Sequence, residues 1–271
     1  MKQINVVMSG FAPYEGIDIN PCLEVLRALE RDGIDALSEH DESFANVQVQ
    51  IHTVMLPVSF AKAWPMLLET IDRTHPDIVI ATGLKRAARG MQLERCATNL
   101  MDAAKPDADN RRPRRMPIDP QGPAAYWTRL PLRAILKAFA GHGIAATLSS
   151  DAGTYVCNSL FYNLLNWAVT RDHVIGGFLN FPTVNEQPHP QHGLPLAQQI
   201  AAARDVVHET VRYYLQPSSG GGCCSAEWCR GTAVDPAGAL PKTAGGTGDS
   251  ATARHNCENW VTAPCAVHFL R

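Results

Sequence analysis

The strongest constraint on the fold is an alternation of short apolar runs with helical segments. Ile4–Ser9, Pro76–Gly83 and His173–Phe181 are strand-length stretches rich in Val, Ile and Phe, and Val47–Val54 alternates with period two as a half-buried strand does. Between them, Leu23, Leu26, Ala28 and Leu29, then Ala61, Trp64, Leu67, Leu68 and Ile71, recur at helical spacing. Leu132–Gly141 is a further predicted helix. Leu196, Ile200, Ala203, Val207, Val211 and Tyr214 mark a long amphipathic one near residue 215. Strand, helix, strand in succession predicts an α/β protein: a single-domain α/β/α layered fold with a mixed, largely parallel central sheet and mainly right-handed crossovers.

One strand–turn–helix unit carries candidate chemistry. Gly143–Leu148 reads as a short, largely buried strand, and Leu160, Phe161, Leu164, Leu165 and Ala168 form a helix face. Asp151-Ala152-Gly153-Thr154 between them is small and turn-prone. Cys157 then falls in the first turn of the helix, where unpaired N–H groups and the helix dipole are expected to lower a thiol's pKa. A thiolate there is a nucleophile, and the adjacent N–H groups form an oxyanion site. The competing reading is a buried small hydrophobe, the commoner role of a cysteine beside an apolar helix face.

The string Asp151–Asn158 resembles the nucleophile segment of the pyroglutamyl peptidase I family, the pyrrolidone-carboxylate peptidases of cysteine peptidase family C15. Four further segments follow the family order. Gly10-Phe11-Ala12-Pro13-Tyr14-Glu15-Gly16 with Asn20-Pro21 resembles Gly-Phe-x-Pro-Phe-x-Gly-x-x-x-Asn-Pro, with Tyr14 in place of the second aromatic. Leu93-Glu94-Arg95 with Asn99 resembles the element that supplies the acidic triad member. Gly122-Pro123-Ala124-Ala125-Tyr126-Trp127 with Leu130-Pro131 is close to a diagnostic segment without evident chemistry. Gly177-Phe178-Leu179-Asn180-Phe181-Pro182 resembles Gly-Phe-Ile-His-Val/Ile-Pro. The resemblance spans residues 4–215.

The resemblance implies removal of an N-terminal pyroglutamyl (5-oxoproline) residue from peptides through a thioester acyl-enzyme on a Cys-His-Glu triad. It assigns the nucleophile to Cys157 and the carboxylate to Glu94. It makes Phe11 and Tyr14 a clamp on the flat lactam, with core cover the equally weighted alternative for both, and it adds Tyr155 and Val156 as substrate contacts. It implies no cofactor, and a homo-oligomer, dimer or tetramer.

The chain departs from the family at two places. Asn180 stands at the histidine position, and an amide hydrogen-bonds but does not take or give a proton at neutral pH. The family's Ala-Arg-Ile-Pro-Asp-Asn string is here Ala103-Ala104-Lys105-Pro106-Asp107, without the arginine. His189 and His192 lie beyond the Asn180 strand as remote substitutes. Two functions therefore stand: a pyroglutamyl peptidase of reduced rate, and a catalytically inactive homologue that retains the lactam pocket. An unrelated esterase-like α/β enzyme fits the layout but explains none of the strings.

Charge and apolar patterning narrow the remainder. Lys and Arg total 24 against 26 Asp and Glu, which argues against a nucleic-acid or anionic-membrane partner. No apolar run approaches a membrane span, and the start lacks a signal-peptide design, so a cytoplasmic location is expected. Arg111-Arg112-Pro113-Arg114-Arg115 reads as part of a solvated loop over Asp102–Pro120. Cys22, Cys96 and Cys157 are dispersed as reduced thiols are. After the 1–216 domain, Ser218–Gly222 is a linker, and the 217–271 tail lacks periodicity and is expected to be disordered. Its Cys223, Cys224, Cys229, Cys257, Cys265, His255 and His268 match no zinc spacing, and no metal is expected.

Overall fold

The computed structural model describes residues 1–13, 19–34, 41–187 and 192–216. The chain divides after Pro217, and the tail expected over 217–271 lies outside the described residues, as do Tyr14 and His189.

A six-stranded sheet forms the middle layer. Its strands are β1 (Lys2–Phe11), β2 (Val47–Leu56), β3 (Ile78–Leu84), β4 (Met91–Glu94), β7 (Ala146–Ser149) and β8 (Ile175–Phe181), in the order β2-β1-β3-β8-β4-β7. Neighbours are parallel except β4 and β8, which are antiparallel, so the sheet is mixed and largely parallel. Short pairs lie outside it: β5 (Cys96–Thr98) with β6 (Ala125–Trp127), and β9 (Thr183–Val184) with β10 (Gly193–Leu194).

Helices cover both faces: α1 (Pro21–Asp32), α2 (Ala63–Thr74), α3 (Leu132–Gly141), α4 (Val156–Val169) and α5 (Leu196–Leu215). The alternation of strand side chains sorts them. Ile4, Val6 and Met8 of β1, Ile78 and Ile80 of β3, and Leu179 and Phe181 of β8 face one core, which α1, α3 and α5 close with Val25, Leu26, Leu29, Ile135, Phe139 and Val206. Val7, Val79, Ala81 and Phe178 have the opposite parity and meet α2 and α4 through Leu67, Ile71, Leu160, Phe161 and Leu164.

Local sequence accounts for the helix starts near the cavity. Asn20 caps α1, its Oδ1 accepting from Cys22 N–H at 3.1 Å while its Nδ2 donates to Phe11 O at 2.8 Å, and Pro21 occupies the first turn. Before α4, Asp151 Oδ1 accepts from Gly153 N–H at 2.9 Å and Gly153 takes φ +77°, the left-handed turn that glycine permits.

Two readings need correction, and one strand went unpredicted. β7 is an edge strand with Leu148 40% exposed, not a largely buried one, because only β4 pairs with it. β4 escapes periodicity because it is four residues long and ends in a glutamate. The Asp102–Pro120 loop is more than solvated cover. Buried Asp107 accepts from Phe60, Asp109 and Arg111 N–H groups at 2.8–2.9 Å, and Asn99 Oδ1 accepts from Ile118 and Asp119 N–H groups. The arginines at 111, 112, 114 and 115 do lie on its exposed side.

Candidate active site

Strand parity places three distant residues on one face. Gly83 pairs with Asn180 across β3 and β8, and Glu94 lies diagonally from Asn180 across the antiparallel β4–β8 pair. All three share the parity of Phe178 and therefore face α4. Asn180 Nδ2 donates to Glu94 Oε1 at 2.7 Å, and both residues are buried. The other carboxylate oxygen, Oε2, is buried without a hydrogen-bond partner.

Cys157 completes the group from above. It is the second residue of α4, and the first helical bond there is Ser159 N–H to Tyr155 O, at 3.2 Å. The N–H groups of Val156 and Cys157 precede that bond and lie among the orphan donors of a helix start. Its thiol and Asn180 both close on Gly83: a Cβ there would stand 2.9 Å from Asn180 Oδ1, 3.0 Å from Cys157 Sγ and 3.0 Å from Phe178 Cζ. Such approaches lie below ordinary carbon contact distances, so the meeting depends on a residue without a side chain at 83. The amide nitrogen is bonded to Glu94, and the amide oxygen and the thiol both lie close to Gly83.

The electrostatics oppose the expectation of a lowered thiol pKa. Cys157 is pushed up from an ordinary 9.0 to about 12, first by burial, then by nearby Cys22 and Glu94; its own backbone N–H and Lys85 act in the other direction without prevailing. The helix start favours the anion, but desolvation outweighs it. Cys22 is likewise pushed up, to about 11, chiefly by burial.

A cavity of about 260 Å³ opens on Cys157. Phe11, Tyr155 and Val156 line it, along with Cys22, Val58 and Leu84. Phe11 is not an exposed loop aromatic; it ends β1 at 6% exposure and shows one side to the cavity. His192 is exposed and absent from the lining. Among the described residues no group of three or more His, Cys, Asp or Glu is placed to hold a metal, and no helix is long and apolar enough to cross a membrane.

Two positioning residues escaped the sequence reading. Gly83 carried no signal beyond its place at a strand end. Asn158, next to Cys157, is buried and anchors the start of α4: its Oδ1 accepts from Thr98 N–H at 3.0 Å, and its Nδ2 donates to Thr98 O and Leu100 O at 2.8 and 3.0 Å. A polar residue inside an otherwise apolar helix face was the available clue.

The family model for pyroglutamyl peptidase matches residues 4–212. A pyrrolidone-carboxylate peptidase of Pseudomonas fluorescens (strain SBW25) is 40% identical over 182 residues, 67% of this chain and 80% of that protein. One from Bacillus cereus (strain G9842) is 35% identical over 191 residues, 70% and 83% of the two chains. The crystal structure of Bacillus amyloliquefaciens pyroglutamyl peptidase I superimposes with a TM-score of 0.67 at 30% identity, covering 78% of this chain and 98% of that one.

Proposed function

The chain belongs to the pyroglutamyl peptidase family, and from that premise we propose that it hydrolyses the amide bond after an N-terminal pyroglutamyl residue, with Cys157 as nucleophile. Cys157 Sγ attacks the pyroglutamyl carbonyl, the C–N bond breaks, the departing amine takes up a proton, and water hydrolyses the thioester to free pyroglutamate. The Val156 and Cys157 N–H groups face the developing oxyanion. Phe11, Tyr155 and Val156, with Tyr14 from outside the described residues, hold the lactam.

The observation that carries the reading is the hydrogen-bonded Glu94–Asn180 pair, packed through Gly83 against Cys157. Asn180 is fixed by Glu94 and lies on the same face of the sheet as the thiol. It does not relay a proton. Loss of a general acid–base group lowers rate by about 10²–10⁴, so the proposed enzyme is slow and favours good leaving groups.

A second reading has its own support. A thiol at about 12 beside an amide suits a protein that holds pyroglutamyl peptides without cleaving them. Release of anilide from pyroglutamyl-anilide, compared between the native chain and Cys157→Ser, separates the two. Native activity lost in Cys157→Ser establishes the peptidase; native silence with retained binding of a pyroglutamyl peptide establishes the holder.

The proposal extends to setting. The three free thiols among the described residues fit a reducing cytoplasm, and family likeness supports a homo-oligomer, which light scattering tests. Residues 1–216 are proposed to act as the catalytic domain, with 217–271 as an appended tail.

A further inference from the structure

We propose that Cys22 and Cys157 form a two-thiol site in this cavity for a soft divalent cation such as Hg(II), whose capture blocks the nucleophile. The inference goes beyond the peptidase reading and does not depend on turnover.

The two cysteines are far apart in sequence and come from opposite layers. Cys22 belongs to the core closed by α1, Cys157 packs against the core closed by α4, and both line the same cavity of about 260 Å³. Each is the second residue of its helix. A glycine near the end of a strand makes room for each. A Cβ on Gly10 of β1 would stand 2.9 Å from Cys22 Cβ, and one on Gly83 of β3 would stand 3.0 Å from Cys157 Sγ. β1 and β3 are adjacent and parallel, in register up to Ser9 and Ala81, so both glycines lie at the same end of the sheet. Cys22 is also near enough to act on Cys157: among the influences that raise the Cys157 thiol it ranks after burial and ahead of Glu94. Both are free thiols.

The chemistry of such a pair is selective. Thiolates prefer soft cations. Loss of a proton to solvent from either thiol leaves a buried negative charge, which desolvation opposes. A divalent cation that replaces both protons leaves the pair neutral, as the two thiols are. In that step two S–H bonds break, two S–metal bonds form and two protons leave to solvent; nothing is oxidised or reduced. Hg(II) is satisfied by two sulfurs in line, whereas Zn(II) takes four ligands. Among the described lining residues Cys22 and Cys157 are the only Cys, His, Asp or Glu, which suits the two-coordinate ion.

The test uses the full-length chain with Cys223, Cys224, Cys229, Cys257 and Cys265 replaced by Ser, which leaves the three described thiols. Hg(II) is titrated against excess 2-mercaptoethanol, and the metal retained after desalting is measured by elemental mass spectrometry. One Hg(II) per chain is expected, held at least about 10²-fold tighter than in Cys22→Ser or Cys157→Ser, the scale of a second ligand already in place. Cys96→Ser is expected to match the parent, Zn(II) to be washed out, and X-ray absorption to show two sulfurs on the metal. Cys22→Ala repeats the Cys22 arm with a different replacement, and thermal melting establishes that each variant is folded. Retention in both Cys22 variants equal to the parent, no retention in the parent, or equal retention of Zn(II) overturns the inference. None of these outcomes bears on anilide release, which tests the peptidase reading by itself.

Discussion

Asn180→His is the perturbation that most directly tests the candidate site. With its thiol pushed up to about 12, chiefly by burial, Cys157 is far less ionised at pH 7 than an ordinary thiol. An imidazole in place of the amide keeps the donor to Glu94, which now accepts from Asn180 Nδ2 at 2.7 Å. Its second nitrogen takes the place of Oδ1, which like Sγ lies close to Gly83. It thereby supplies an internal acceptor for the thiol proton and a donor for the departing amine. The expected gain is about 10²–10⁴ in kcat/KM for a pyroglutamyl-anilide, with KM changed little because the cavity lining excludes position 180. The assay is continuous anilide release by the native chain, Asn180→His, and Asn180→His with Cys157→Ser. A folded Asn180→His protein no faster than the native chain, when native activity depends on Cys157, would place the proton acceptor elsewhere and refute the reasoning.

Other outcomes follow from the same geometry. Because burial raises the Cys157 pKa to about 12, its alkylation by iodoacetamide, followed on the Cys157 peptide by mass spectrometry, is expected to climb about tenfold per pH unit from 7 to 10. A plateau below pH 9 contradicts a raised thiol. Gly83→Ala drives a methyl against Asn180, Cys157 and Phe178; it is expected to cost about 1–3 kcal/mol in thermal or denaturant unfolding and to weaken ligand binding. Glu94→Ala leaves the Asn180 amide unpaired beside a void and is expected to cost about 2–4 kcal/mol, whereas Glu94→Gln, which keeps an acceptor, costs less; equal losses contradict the hydrogen-bonded pair. Asn158→Ala removes four hydrogen bonds at the start of α4 and is expected to cost about 2–3 kcal/mol in denaturant unfolding.

The layered fold was legible because its signal is repeated: each buried strand carries several apolar residues, and each covering helix shows its own stripe. The mixed character of the sheet rests on β4, whose four residues include Gln92 and Glu94 turned toward the site; chemistry there erased the pattern that marks a strand. Cys157 was placed in the first turn of its helix by Gly153 and the turn before it. The direction of its pKa was not legible because the helix terminus is a local feature of sequence, while the burial that raises the thiol arises from segments distant in sequence. Gly83 shows the same limit, since its role is a close approach of two residues that lie 74 and 97 positions from it in sequence.

Positioning of the thiol does not depend on the residue at 180. Asn158 ties α4 to Thr98 and Leu100 just after β4, Gly153 sets the turn, and Thr154 Oγ1 donates to Asp102 O at 2.8 Å. Phe178 and Phe161, with ring centroids 5.4 Å apart, pack the helix on the sheet. An amide at 180 satisfies the one constraint the fold imposes there, a donor to buried Glu94. An amide at 180 is therefore compatible with stability, and under the proposed mechanism its cost falls on proton transfer.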